Sequence, residues 1–309
     1  MAISFAQSTI FSKRSVFLPR NGFTSFAVSI SISCFSTSAA VSSDNNRPHK
    51  WRQQATSVLE LGGVKIAKDD IVRDDPTNNV PDMIFSKLGL QLHKRDQHPL
   101  GILKNAIYNY FDTTYLNKFD KFDDLCLILS VKQNFDDVLV PEDHVCRSYN
   151  DTYYVDSQTV LRCHTSAHQA ALLRKGFTHF LVTGDVYRRD SIDSTHYPVF
   201  HQMEGFRVFN PDDWEASGMN GISYAAEDLK KCLEGLARHL FGAVEMRWID
   251  TYFPFTNPSF VLGCGVTEQE ILKRSGKTNN VAWTFGLGLE RLAMVLFDIP
   301  DIRLFWVNR

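Results

Sequence analysis

The chain has 309 residues, 33 Lys and Arg against 35 Asp and Glu, a formal net charge of −2 and 44% apolar residues. That balance excludes a disordered chain, a collagen and a coiled-coil rod, and it leaves no general electrostatic footprint for nucleic acid. No stretch reaches the ~18 apolar residues of a membrane-spanning helix, and six scattered cysteines without a CxxC pair argue against a disulfide framework or a zinc ribbon.

Residues 1–43 differ in kind from the rest. They hold twelve Ser, three Thr and no Asp or Glu, and their only charges are Lys13, Arg14 and Arg20. A basic, hydroxylated, acid-poor segment is expected of an organelle transit peptide, cleaved near residues 39–43. Serines interrupt the apolar run from Phe26 to Phe35, so a secretory signal fits less well. A disordered serine-rich tail is the plain alternative. Residues 44–97 are polar and turn-rich and are expected to form a loose N-terminal arm, with a short strand near residues 64–66.

Residues 98–309 read as one domain. Leu100, Leu103, Ile107 and Phe111 recur at three- to four-residue spacing and predict a helix over 98–111. β-branched runs predict strands at 125–131 and 138–140, and 152–162 reads as a hairpin. Residues 164–175 look helical. Residues 180–187 and 199–208 read as two strands joined by a polar loop. Ala226, Leu229, Leu233, Leu236 and Leu240 form one stripe of a helix over 223–241, stopped by Gly242. A strand-like run at 244–255, a strand at 281–285 and a helix at 288–297 complete the order. Strands in hairpins flanked by helices predict an α+β fold with an antiparallel sheet.

Four constellations carry chemistry. In the strand ending at Gly205, period-two alternation puts Phe200, Gln202 and Glu204 on one face. An ordinary half-buried strand would be apolar there, and buried amides and carboxylates need partners. Arg188 ends the opposite strand, near the loop carrying Asp190 and His196, and a guanidinium beside a ring suits a planar anionic ligand such as a nucleotide. The bland alternative is a charged surface hairpin. Next, Gly286 and Gly288 open the last helix, with Arg291 in its first turn, and let backbone approach a ligand closely. Third, His164 and Ser166 sit in HTSAHQ. A metal reading of His164 and His168 lacks a third ligand, so hydrogen bonding to a small polar ligand is preferred. Fourth, Phe253 and Phe255 share a face, either as an aromatic pocket or as plain sheet core.

The motifs HTSAHQ, GDVYRRDSIDSTHYPVFHQMEG, DTYFPFTNPS and FGLGLERLAM stand in this order between about residue 60 and Trp306. Together they resemble the class II aminoacyl-tRNA synthetases, and within them the single-chain organellar phenylalanyl-tRNA synthetases. The resemblance implies an antiparallel sheet flanked by helices that activates phenylalanine with ATP and Mg2+ and esterifies the 3′ end of tRNA(Phe). It implies that Arg188 binds the α-phosphate and stabilises charge there, with Arg291 on the γ-phosphate, as the two catalytic residues. Phe200 would stack on adenine, with Asp190 near it and His196 near the phosphates. Gly286 and Gly288 would admit the ATP. Gln202 and Glu204 would take the amino group of phenylalanine, His164 and Ser166 its carboxylate end, and Phe253 and Phe255 its ring. The metal ligands are left unassigned. The family comparison further implies a monomer in the mitochondrion or chloroplast, without membrane attachment.

The sequence departs from that pattern in places. Phe260 runs directly into Val261, where relatives carry roughly a dozen more residues, enough for one strand and its turn. One sheet strand is therefore expected to be missing and the sheet to re-pair. Thr284 stands where relatives usually have Ala, facing the phenyl site, and overpacking of that size costs ~1–3 kcal/mol. Val145 and Cys146 replace a usual Pro and small residue. The chain stops at Arg309, where relatives continue into an anticodon-binding domain. Two further readings follow from these departures. One is a non-catalytic splice or gene-model variant of the same fold acting as a binding module. The other is an amino-acid-activating enzyme that charges no tRNA.

Overall fold

The computed structural model describes residues 58–61, 64–67, 75–260 and 263–307. The expected transit peptide over 1–43 lies outside the described residues, as does 44–74 apart from one hairpin. That hairpin joins β1 (Val58–Leu61) and β2 (Val64–Ala67) with Leu61 opposite Val64. Within the expected loose arm, the run from Val80 to Leu88 is packed. Ile84 and Phe85 of the short helix α1 (Asp82–Phe85) are buried with Val80 and Leu88 against Tyr153, Leu161 and Tyr187.

Helix α2 (Pro99–Tyr115) starts where Pro99 follows the cap His98, whose Nδ1 accepts from the Leu100 amide at 3.2 Å. It ends at Leu116, which takes the left-handed conformation. Strands β3 (Asp120–Phe122) and β4 (Ile128–Ser130) follow. Only the centre of the strand expected at 125–131 forms. The Ser130 hydroxyl caps the short helix α3 (Val131–Asn134) and Gln133 returns the bond, which turns the chain out of the strand. Residues 138–140 are not a strand. Val138 closes a 3-10 turn (Asp136–Val138), Leu139 is left-handed, and Val138 and Val140 bury in a small core with Phe135 and Val160. Burial there overrides β-propensity. The hairpin expected at 152–162 is present as β5 (Tyr154–Asp156) and β6 (Thr159–Leu161), which with β4 make a three-stranded sheet.

A 3-10 turn (Thr165–His168) leads into α4 (Gln169–Arg174), then the two long strands β7 (His179–Tyr187) and β8 (Val199–Phe209). After α5 (Pro211–Glu215), α6 (Gly221–Phe241) is capped by Asn220 and stopped by Gly242 at positive φ. The strand expected at 244–255 is confined to β9 (Asp250–Phe253). The chain closes with β10 (Thr256–Phe260), β11 (Cys264–Thr267), α7 (Gln269–Arg274), β12 (Val281–Gly288), α8 (Leu289–Leu296) and a 3-10 helix (Ile302–Trp306).

The main sheet runs β3-β7-β8-β12-β11-β10-β9, and only β3 and β7 pair in parallel. It is an α+β architecture, as expected. On either side of residues 261–262 the sheet is paired. Phe260 stands opposite Cys264, and the Gly286 amide donates to the Gly263 carbonyl at 2.8 Å. Among the described residues no helix is long and apolar enough to cross a membrane.

The two faces of the sheet are used differently. The rear face, including Leu181, Met203, Trp283 and Phe285, packs on Leu103, Ile107 and Phe111 of α2 and on Leu229, Leu233 and Leu236 of α6. Each such side chain contributes ~1.5–3 kcal/mol by leaving water. On the front face, Phe180, Val182, Phe206, Val208 and Ala282 are covered by Leu172 and Leu173 of α4 and Ile271 and Leu272 of α7. These helices cover one end of the front face. The residues of β8 and β12 beyond them, from Glu204 back to Phe200 and from Thr284 on to Gly288, carry the polar side chains and glycines.

Candidate active site on the front of the sheet

The register of β8 against β12 sets the floor of the site. Gly286 stands opposite Glu204 and Gly288 opposite Gln202, while Gly184 of β7 flanks Gln202 on the other side. Paired residues share a face, so Phe200, Gln202 and Glu204 line up as the alternation predicts. A Cβ added at Gly288 would meet nothing within 4 Å, and one at Gly286 would meet only the Gly263 carbonyl oxygen at 3.8 Å. The floor is therefore bare backbone beneath open space.

One end of the floor is a buried polar cluster around Glu204, which is 1% exposed. Its carboxylate accepts from the Ser166 hydroxyl, from Thr165 Oγ1 at 3.3 Å, from Gln169 Nε2 at 2.5 Å and from Thr284 Oγ1 at 3.4 Å. Burial pushes its pKa up to about 7, and the four donors hold it from going higher. Gln202 Oε1 accepts from the Thr165 amide at 3.2 Å, which turns its NH2 group away from that partner. The structure thus joins Gln202, Glu204, Ser166 and Thr284 of the expected amino-acid residues. It adds Thr165 and Gln169, both bonded to Glu204. Their signal was the run of polar residues in HTSAHQ just before an apolar helix. His164 is half-buried beside them. Desolvation, then the nearby Arg188 charge, brings its pKa down to about 3, so it is a neutral imidazole with a buried, unpartnered Nδ1.

The opposite end is cationic. The Arg188 guanidinium lies 5.3 Å from the centre of the Phe200 ring and donates through Nε to the Cys163 carbonyl at 2.8 Å. That bond leaves its terminal nitrogens for an anion. Arg291 is half-buried in the first turn of α8. Desolvation lowers its pKa, and the charges of Asp190, Asp193 and Arg188 all act on it. Two guanidinium groups within each other's field beside a glycine floor make an anion-binding geometry. Asp190 is half-buried at the start of the β7–β8 loop. His196 is held inside that loop: its Nδ1 lies 2.9 Å from Asp193 Oδ2, and its amide donates to Asp193 Oδ1 at 2.7 Å.

Phe253 and Phe255 stack with centroids 6.1 Å apart and planes 20° from parallel. Phe255 lies in the turn after β9, so the turn brings the rings together rather than strand alternation. His168 Nε2 accepts from Arg162 Nη1 at 3.0 Å, which uses the nitrogen that a metal reading would need. Among the described residues no group of three or more His, Cys, Asp or Glu side chains converges as a metal site.

Alongside Gly184 lies a second polar network that sequence reasoning missed. Arg162, 1% exposed, donates through Nε to the Asp185 carbonyl at 2.9 Å and through Nη2 to Asp185 Oδ1 at 3.2 Å. The Tyr187 hydroxyl donates to the other Asp185 oxygen. Burial followed by the Arg162 and His201 charges acts on Asp185, and the net effect holds it below the usual carboxylate range. His201, opposite Asp185 on β7, binds Glu290.

The family model for tRNA synthetases class II core domain (F) matches residues 86–309. Over 99% of its length the chain is 70% identical to the phenylalanine–tRNA ligase, chloroplastic/mitochondrial, of Arabidopsis thaliana, covering 73% of that protein. The match runs over 320 positions, so the relative carries residues this chain lacks within the matched span. Identity to the mitochondrial phenylalanine–tRNA ligase of Dictyostelium discoideum is 46% over 78% of the chain and 61% of that protein. Identity to the mitochondrial enzyme of Rattus norvegicus is 42% over 81% of the chain and 60% of that protein. The chain thus spans about three-fifths of these last two relatives. Among solved structures, pyrrolysyl-tRNA synthetase from Desulfitobacterium hafniense superposes with a TM-score of 0.52 at 14% identity, over 71% of this chain and 77% of that one. That likeness bears on the fold alone.

Proposed function

The chain belongs to the phenylalanine–tRNA ligase family of class II tRNA synthetases, and on that basis we propose that it activates phenylalanine with ATP and transfers it to the 3′ end of tRNA(Phe). The observation that carries this reading is the polarity of the floor. A buried carboxylate, Glu204, and a half-buried amide, Gln202, stand at one end of a bare glycine surface, and Arg188 with Arg291 stands at the other. An amino acid and a nucleoside triphosphate present that pair of charges in that order.

In the proposed reaction the ammonium group of phenylalanine sits against Glu204 and Gln202, with Ser166 and His164 beside its carboxylate. Phe253 and Phe255 contact its ring, and Thr284 bounds the same end. Adenine stacks on Phe200, with Asp190 and His196 nearby. A carboxylate oxygen attacks the α-phosphorus, the bond to pyrophosphate breaks, and Arg188 stabilises the charge that builds on the phosphoryl oxygens. Arg291 holds the leaving pyrophosphate, and Gly286 and Gly288 give it room. A hydroxyl of the tRNA's terminal adenosine then attacks the carbonyl carbon, and AMP leaves. No side-chain nucleophile is required. Mg2+, where it accompanies ATP, screens phosphate charge.

We place the reaction in the mitochondrion, the chloroplast or both, from the acid-free composition of residues 1–43 and the names of the relatives, and we take the working form as a monomer. The test is phenylalanine-dependent exchange of pyrophosphate into ATP. Exchange above background supports activation, and charging of organellar tRNA(Phe) supports the full reaction. A folded protein without exchange favours the second reading, a non-catalytic binding module. The residues that the Arabidopsis relative has and this chain lacks motivate that second reading.

A further inference from the structure

We infer that His201 and Glu290 form a positioning pair that sets Arg291 over the floor of the site. This rests on the reading of Arg291 as the triphosphate clamp. His201 lies between Phe200 and Gln202 on β8, so its side chain leaves the strand on the rear face while theirs leave on the front. Glu290 immediately precedes Arg291 in the first turn of α8. Both oxygens of Glu290 are taken by the same residue. The His201 amide donates to Oε2 at 2.8 Å and His201 Nδ1 donates to Oε1 at 2.7 Å. Because a carboxylate only accepts, the contact assigns the proton to Nδ1.

The pair has little freedom. Both residues are 1% exposed. The His201 ring is flanked by His93, with centroids 5.1 Å apart, and by Trp306, with centroids 5.8 Å apart. A two-point bond in a dry environment fixes both distance and rotation. It therefore locks the start of α8 to the strand that carries Phe200 and Gln202. Arg291 has a long side chain and would otherwise follow any rotation of that first turn. The pair touches no part of the open floor, so it acts through Arg291 and is not a catalytic residue pair.

The test uses the 309-residue chain and ATP in pyrophosphate exchange, with folding followed by thermal melting. Glu290→Ala is expected to raise the KM for ATP by about tenfold or more and to leave the KM for phenylalanine within about twofold. Glu290→Gln keeps two polar contacts to His201 and is expected to restore most of the ATP affinity. In an Arg291→Ala background the Glu290→Ala change is expected to add little, because its effect has already been removed. An unchanged ATP KM in Glu290→Ala, or an undiminished effect in the Arg291→Ala background, would overturn the pairing. If Glu290→Ala does not fold, His201→Asn against His201→Leu makes the same comparison. Failure of every variant to melt cooperatively would overturn the positioning role in favour of a purely structural one. Absence of exchange in the unmodified chain would instead fail the proposed function.

Discussion

Arg162 lies across Gly184: a Cβ built at that glycine would stand 2.1 Å from Nη2 and 2.9 Å from Cζ of the guanidinium. The guanidinium cannot swing aside cheaply, because its nitrogens are held by Asp185 and His168 in a buried site. Gly184→Ala is therefore expected to expel a buried cation from its partners. Breaking a buried pair costs ~3–5 kcal/mol. A melting temperature within a few degrees of the unmodified protein would refute this account.

Glu204 gives the site a pH dependence. Its pKa in the folded protein, about 7, is above the ordinary 4.5. The folded state therefore binds this proton more tightly than the unfolded state. The resulting stabilisation is complete below about 4.5 and is lost as pH rises through about 7. Binding of an ammonium group runs the other way and needs the carboxylate. The kcat/KM for phenylalanine is expected to rise about tenfold per pH unit below 7 and to level off above it. Glu204→Gln should flatten that profile and lower activity throughout. A profile in the variant identical to that of the unmodified chain would exclude Glu204 as the titrating group.

Gly288 separates binding from folding. Its φ of −75° suits any residue, and the space over it is open. Gly288→Ala is expected to change stability by no more than about 0.5 kcal/mol. The added methyl would nevertheless project into the floor where the triphosphate is proposed to lie. An ATP KM raised about tenfold at an unchanged melting temperature is the expected result. Unchanged ATP kinetics would move the phosphates elsewhere.

Thr284 is 2% exposed and its hydroxyl reaches Glu204 Oε1 and, at 3.2 Å, Gln169 Nε2. Thr284→Ala removes one of four donors to Glu204 and frees volume at the amino-acid end. Relief of overpacking, ~1–3 kcal/mol, exceeds the ~1 kcal/mol of one hydrogen bond. The KM for phenylalanine is expected to fall about fivefold, and the pKa read from the pH profile to rise with the loss of a donor. A higher KM would mean that the hydroxyl matters more than the space.

The parts of this molecule that repeat were legible in its sequence. Alternation showed the shared face of Phe200, Gln202 and Glu204, and helical spacing showed the stripe of Leu229, Leu233 and Leu236. What escaped depends on partners far along the chain. His201 occupies a position that alternation assigns to the core, and its partner Glu290 is 89 residues away. Arg162 reads as a polar end to an apolar strand until Asp185 and His168 are placed beside it. The β-branched Val138 and Val140 suggested a strand, but the capped turn at Ser130 sends them into a satellite core instead. The packing of residues 80–88 was equally invisible, because short apolar runs between turns carry no period.

The hairpin of β10 and β11 keeps Thr256 opposite Thr267 and Ser259 opposite Gly265. A ladder trimmed from its free end loses rungs in pairs, so the residues that remain keep both their faces and their neighbours. Loss of chain at the free end of that hairpin would leave β12 unshifted, because its register is written along β8 from Val281 to Gly288. This places tolerance to length change at the tip of one hairpin and intolerance at the two strands beside it. In a lineage of such proteins, insertions and deletions would collect at that tip while the spacing between Gly286 and Glu204 stays constant.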